Sequence, residues 1–210
     1  MEIANRYGMR IEAVFSTHVH ADHRSGEREL AASVDAKLYH HRSAALEYAF
    51  TPLDDGAEIS LGNVVVRALH TPGHTPESLS LLVTDRTRSD EPWMVLSGDT
   101  LFVGDVGRPD FGGDDAGRQL HASLQRLLAL PDYVEVYPAH ISGSPCGRAM
   151  SGKPSSTIGF ERRHNTALAH ADPDAFVAAL FEGLTPKPPG FLEMIATNRR
   201  GGEASISRGV

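Results

Sequence analysis

Short apolar runs and longer leucine-spaced runs alternate along this chain, with turn residues between them, so strand-like and helix-like pieces follow one another. A helix-like opening, Glu2 to Tyr7, precedes a buried strand over Ala13 to Thr17. Gly26 to Lys37 reads as a helix with Leu30 and Val34 on one face, and Lys37 to His40 as the next strand. A short helical stretch is predicted over Ser43 to Phe50, with His40 and His41 as surface residues where the strand meets it. Asp54-Asp55-Gly56 and Gly62-Asn63 are turn signals around a short strand, Glu58 to Leu61, and the β-branched run Val64 to Leu69 is a further strand. Strands are also predicted over Ser78 to Val83, Trp93 to Leu96 and Tyr133 to Tyr137. Between the last two, Leu120, Leu124, Leu127 and Leu128 fall at helical spacing within Arg118 to Leu130, Pro131 closes the segment, and His121 lies beside the stripe as a helix-surface residue. Asp172 and Pro173 form a cap and first helical position ahead of Phe176, Leu180 and Leu184. No internal repeat or low-complexity segment breaks the alternation, which predicts an α/β layering.

The chain has 210 residues and 40% hydrophobic content, enough for one substantial core. One domain over 1–210 is expected, helical from about 157 onward. A formal charge of -7 makes nucleic acid or an anionic membrane a poor partner. No apolar run approaches the roughly 18 to 20 residues that span a bilayer, and Met1-Glu2-Ile3-Ala4-Asn5-Arg6 is not the apolar core of a signal peptide, so a cytoplasmic protein is expected. One cysteine, Cys146, excludes an internal disulfide and a thiolate-rich metal site. Any metal must then be held by His and carboxylate, and Cys146 reads as an ordinary loop residue.

The candidate chemistry starts in His18-Val19-His20-Ala21-Asp22-His23, directly after the first predicted strand. Side chains two apart in extended chain point the same way, so His18 and His20 can converge on one ion while Asp22 and His23, past a bend, reach toward a neighbouring one. Neutral imidazole and carboxylate are the usual ligands of zinc and of non-haem iron. Three more candidates fall at predicted strand ends: His74 in Thr-Pro-Gly-His-Thr, Asp99 in Ser-Gly-Asp-Thr and His140 after Tyr-Pro-Ala. Together they make seven ligands, enough for two adjacent positions sharing Asp99. His70, on the strand side of the Pro72-Gly73 turn, reads as non-ligating, and His164 and His170, in the helical tail, as surface residues or supports behind the ligands rather than ligands.

With these motifs the chain resembles the metallo-β-lactamase superfamily, in which an H-x-H-x-D-H loop, a later His, a bridging Asp and a final His line one edge of an αββα sandwich. The stretches Thr17 to His23, Ser97 to Asp110, Tyr137 to His140 and Ser156 to Arg163 are similar to the persulfide dioxygenase branch, especially the catalytic module of bacterial dioxygenase–rhodanese fusions. The resemblance implies one Fe(II) per chain on His18, His74 and Asp99, a facial triad with positions left for substrate sulfur and O2. His20, Asp22, His23 and His140 would then orient ligands and water, Asp99 and His140 being the expected catalytic residues. Arg108 matches an arginine that the family places near the thiol substrate, where its fork suits a glutathione carboxylate; the bland alternative is a loop arginine paired with Asp105 or Asp110. The implied substrate is glutathione persulfide or a similar small persulfide, oxidised to sulfite and thiol.

Two further readings stand beside this one. A dinuclear zinc hydrolase resembling hydroxyacylglutathione hydrolase would use His18, His20, His74 and Asp99 for one ion, and Asp22, His23, His140 and Asp99 for the other. A truncated, non-catalytic metal-binding domain is the third, because superfamily members carry several strands before the H-x-H-x-D-H strand and only Glu2 to Tyr7 and a few residues precede Ala13 here. The expected fold therefore lacks its first N-terminal strands; a late start, a fragment or a second subunit of a homo-oligomer covering the gap would each account for it. No rhodanese module follows, so sulfur transfer would need a separate protein. Ile141 stands where the fusion proteins carry glycine.

Overall fold

Each strand of this chain is pleated, so its side chains alternate between two faces, and here both faces of the central strands are apolar. In the computed structural model, which describes residues 2–110, 113–182, 184 and 186–201, that alternation produces four layers. The elements in chain order are α1 (Glu2–Arg6), β1 (Ala13–Phe15), α2 (Glu27–Val34), β2 (Lys37–His41), β3 (Thr51–Leu53), β4 (Glu58–Leu61), β5 (Val64–His70), β6 (Leu79–Asp85), β7 (Met94–Gly98), α3 (Gly113–Leu128), β8 (Glu135–Pro138), β9 (Ser156–Thr157), α4 (Ile158–His164), a 3₁₀ turn at Thr166–Leu168, α5 (Pro173–Glu182) and α6 (Phe191–Arg200). A parallel sheet, β1-β2-β3, faces a six-stranded sheet in the order β4-β5-β6-β7-β8-β9.

Which residues pack where follows the pleat. Ala13, Phe15, Tyr39 and Leu53 of the small sheet meet Val66, Ala68, Leu79 and Leu81 of the large one. The alternate residues Val14 and Leu38 turn outward onto Leu30 and Ala31 of α2. On the far side, Leu69, Leu82, Val95 and Val136 pack under Leu120, Leu124 and Leu127 of α3 and Phe176 and Leu180 of α5. The result is an α/β fold with the order helix, sheet, sheet, helix, as the layering and the resemblance predict. Parallel pairs need crossovers, and α2 supplies that between β1 and β2 as α3 does between β7 and β8. Gly73, at φ +141°, lets the turn after β5 lie against α3, since a Cβ there would come within 2.4 Å of the Leu120 backbone.

Several local expectations fail, most of them for a tertiary reason. Ser43 to Phe50 is not a helix: the Glu47 N–H donates to Arg199 O at 2.8 Å, and Tyr48 and Phe50 are drawn onto the Val14 and Leu38 face. His40 is no surface residue, being 1% exposed with Nε2 2.8 Å from Glu27 Oε1, and His41 is half-buried, stacked on His70 at 3.8 Å between ring centres. His121 is also buried, its ring 5.2 Å from Phe176 because α5 covers that flank of α3. The short strand β3 escaped the sequence pattern because Pro52 sits in its middle, which an edge strand tolerates. The helical spacing of leucines also marks only part of α3, whose first turns carry glycine and aspartate instead.

Candidate metal centre

The loops at one end of both sheets carry the predicted ligands. β1 ends at Phe15 and delivers His18; the turn after β5 delivers His74; the end of β7 delivers Asp99; and the end of β8 delivers His140. His18, His74 and Asp99 form one group, with ligand atoms within 4.8 Å of one another and all three residues buried. Their exposures are 2%, 1% and 1%. His18 Nε2 and His74 Nε2 lie 3.7 and 3.4 Å from the same oxygen, Asp99 Oδ2. His20, Asp22, His23 and His140 form a second group beside it, half-buried apart from the exposed His23. His140 joins the two, with Nδ1 2.8 Å from Asp99 Oδ1 and Nε2 3.0 Å from Asp22 Oδ2.

The backbone around these groups fixes how each presents itself. His74 Nδ1 lies 2.9 Å from the Arg108 carbonyl, which can only accept, so Nδ1 carries the proton and Nε2 turns its lone pair toward Asp99. Gly107 permits this approach, because a Cβ at that position would stand 1.8 Å from Asp99 O. His18 Nδ1 is 3.0 Å from Thr17 Oγ1, and Thr17 O accepts from the Leu79 N–H at 2.7 Å. Buried Glu77 accepts the Val19 N–H, between the two histidines, at 3.1 Å.

Burial holds His18 well below the ordinary imidazole pKa, so its ring is neutral at pH 7. Burial, reinforced by the His23 ring, pushes His20 down to about 4. His140 goes the other way: burial opposes its charge, but hydrogen bonds to Asp22 and Asp99 raise it to about 10. Asp99 and Asp22 are both held well below the usual carboxylate range; burial opposes this, and the neighbouring histidines outweigh it. Neutral imidazoles beside ionised carboxylates are a donor set for a divalent cation. His18 Nε2 and His20 Nδ1 are buried without a hydrogen-bond partner, a cost of about 1–3 kcal/mol for each such group that a bound cation would remove. The residues therefore fit a metal ion.

All seven predicted ligands are brought to this end of the fold. Arg108 is not arranged as the substrate contact the resemblance implied: it is 2% exposed, its Nε and Nη2 donate to Asp110 at 2.8 and 2.9 Å, and Nη1 donates to Pro145 O. Its planar fork braces the loop instead, the bland alternative. His70 stays outside both groups, with Nε2 on Pro76 O. Sequence reasoning missed Cys146, which is 1% exposed and within ligand distance of Asp99 and His140. Burial pushes its thiol pKa up, with Asp99 and Asp22 adding to the effect, so it is a protonated thiol. Its position six residues after His140, in a Gly- and Pro-containing loop, was the available signal.

The fold and this ligand geometry belong together: the chain is a member of the metallo-beta-lactamase superfamily, whose family profile matches residues 4–140. Among solved structures it is similar to a metallo-beta-lactamase from Staphylococcus aureus, with 32% identity and a TM-score of 0.91 over 100% of this chain and 64% of that one. It is also similar to ETHE1 from Myxococcus xanthus, 30% identical with a TM-score of 0.81 over 96% of this chain and 82% of that one. A hydroxyacylglutathione hydrolase from Anaeromyxobacter dehalogenans is 31% identical over 81% of this chain and 64% of its own length. Two further curated relatives extend well beyond the match, the chain spanning 65% and 49% of their lengths. Among the described residues no helix is long and apolar enough to cross a membrane.

Proposed function

We propose that this chain is a non-haem Fe(II) persulfide dioxygenase-like enzyme acting on glutathione persulfide or a similar small persulfide. In the balanced reaction, persulfide, O2 and water give thiol, sulfite and two protons. The observation that carries this reading is the buried group of two imidazoles and one carboxylate, His18, His74 and Asp99, in a chain similar to ETHE1 along nearly its whole length. Ferrous iron held there would supply a binding position for the persulfide sulfur and activation of O2. The protein's own part is orientation and charge. Arg108 O sets the tautomer of His74, burial keeps His18 neutral, and Asp99 is the single carboxylate of the group, so an anionic substrate meets little opposing charge. His140 holds a proton between Asp22 and Asp99 beside that group. The reading includes small-molecule partners and a cytoplasmic setting.

The second group, His20, Asp22, His23 and His140, favours one alternative: a dinuclear zinc thioester hydrolase like the hydroxyacylglutathione hydrolases to which the chain is similar. Protein expressed without zinc supplementation decides between them. About one iron per chain with persulfide-dependent O2 consumption supports the dioxygenase. Two zinc per chain with turnover of S-lactoylglutathione supports the hydrolase, and bound metal with neither activity leaves a non-catalytic metal-binding domain.

A further inference from the structure

We infer that Asn198 is a positioning residue for the metal-binding loop, and that α6 latches this loop from the far end of the chain. Asn198 lies in the last turn of α6, 5% exposed. Its Nδ2 donates to His20 O at 2.8 Å and to His23 O at 2.9 Å, while its Oδ1 accepts from the Ser25 N–H at 3.0 Å. One carboxamide thus closes three backbone groups of a single bend, using two donors and an acceptor that no hydroxyl or carboxylate could supply together. The two carbonyls flank Asp22, so they set the bend that points its carboxylate to His140 Nε2, 3.0 Å away.

Other bonds hold only its two ends and the Asp22 carboxylate: Glu77 accepts the Val19 N–H, Glu27 accepts the Ser25 hydroxyl, and Asp22 meets His140. His20 Nδ1 has no hydrogen-bond partner, so its ring direction follows from the backbone that Asn198 fixes. His18, in contrast, follows directly from β1, and His74 is oriented by Arg108 O. Loss of Asn198 therefore acts on the group His20, Asp22, His23 and His140 and spares the group His18, His74 and Asp99. The helix itself is anchored independently: Arg199 O accepts from the Glu47 N–H, Gly201 O accepts from Arg28 Nη1 at 3.4 Å, and Arg28 lies over the Tyr48 ring. The inference rests on the loop group's own capacity to hold a divalent cation such as zinc, whichever reaction is physiological.

Zinc serves as the probe, measured by chelator competition on metal-stripped protein, in two backgrounds. His74→Ala disables the buried group and leaves the loop group; Asp22→Ala with His140→Ala does the reverse. Asn198→Leu, similar in size, is expected to weaken zinc roughly 10- to 100-fold in the first background and to change it by no more than about twofold in the second. Amide exchange of the metal-stripped protein should accelerate over residues 19–26 and stay constant over β5 to β7. Arg28→Met, which loosens α6 without touching the bend, should lower the melting temperature and leave the difference between backgrounds at zero. If Asn198→Leu fails to fold, Asn198→Asp keeps the acceptor for Ser25 and loses both donors, and should act in the same direction. Equal weakening in both backgrounds, unchanged exchange over 19–26, or no zinc binding at all by His74→Ala would each overturn the inference.

Discussion

The two ligand groups lie side by side yet are held by different means. His18, His74 and Asp99 are 2% exposed or less and follow the ends of β1, β5 and β7, so the two sheets and the core between them place them. His20, Asp22 and His23 sit on a bend outside both sheets, more exposed, and held by the Asn198 carboxamide and by the Glu77 carboxylate, which accepts the Val19 N–H; both are distant in sequence. A strand-end ligand inherits the stability of the whole sheet, whereas a bend ligand inherits only that of the few bonds that close it. The protons differ within the site as well: burial strips charge from His18 and His20 alike, whereas hydrogen bonds to Asp22 and Asp99 keep the proton on His140 against its burial.

The largest effect should come from His74→Ala, which leaves one imidazole and one carboxylate in the buried group and should abolish iron binding and persulfide-dependent O2 uptake, read by metal analysis and an oxygen electrode. Next comes acid. Burial opposes the charge on Glu27, but hydrogen bonds from His40, Ser25 and Ser16 outweigh it and lower its pKa from 4.5 to about 2, so its stabilisation is complete above pH 4.5 and is lost as the pH falls through 2. At full strength that is roughly 3 kcal/mol, and since Ser25 belongs to the bend, urea midpoints of wild type and Glu27→Gln should converge between pH 4.5 and 2.

His140→Ala sharpens the contrast between the groups: in the dioxygenase reading it retains iron and loses roughly 10- to 100-fold in activity, whereas in the dizinc reading it empties the second position and matches His74→Ala. The smallest effect should be Glu77→Gln, which keeps an acceptor for the Val19 N–H but removes its charge. A loss of about 1 kcal/mol in chemical denaturation is expected, with iron content unchanged.

The buried group was legible in the sequence because strand ends are announced by apolar runs and turns, and His18, His74 and Asp99 each follow one. The layering was legible for the same reason. What escaped depends on contacts between distant segments. Asn198 is one polar residue on an amphipathic helix, and nothing local shows that it reaches a bend more than 170 residues earlier. His40 reads as polar and exposed until Glu27, on the adjoining helix, provides its partner. For Arg108 the sequence left a substrate contact or a pairing with Asp105 or Asp110 open, and its fork lies on Asp110, two positions on.

The segment from Asp99 to Arg108 contains both a ligand and the carbonyl that orients another ligand, closed by the Leu101 and Val106 bridge with Leu101 and Phe102 fully buried. Its length is thereby a ruler. An insertion or deletion of even one residue would separate the Asp99 carboxylate from the Arg108 carbonyl and misalign His74, so this stretch can hardly change in length. Evolutionary change around the candidate metal centre would then have to enter elsewhere, through the bend at 20–25 and the loop at 141–155.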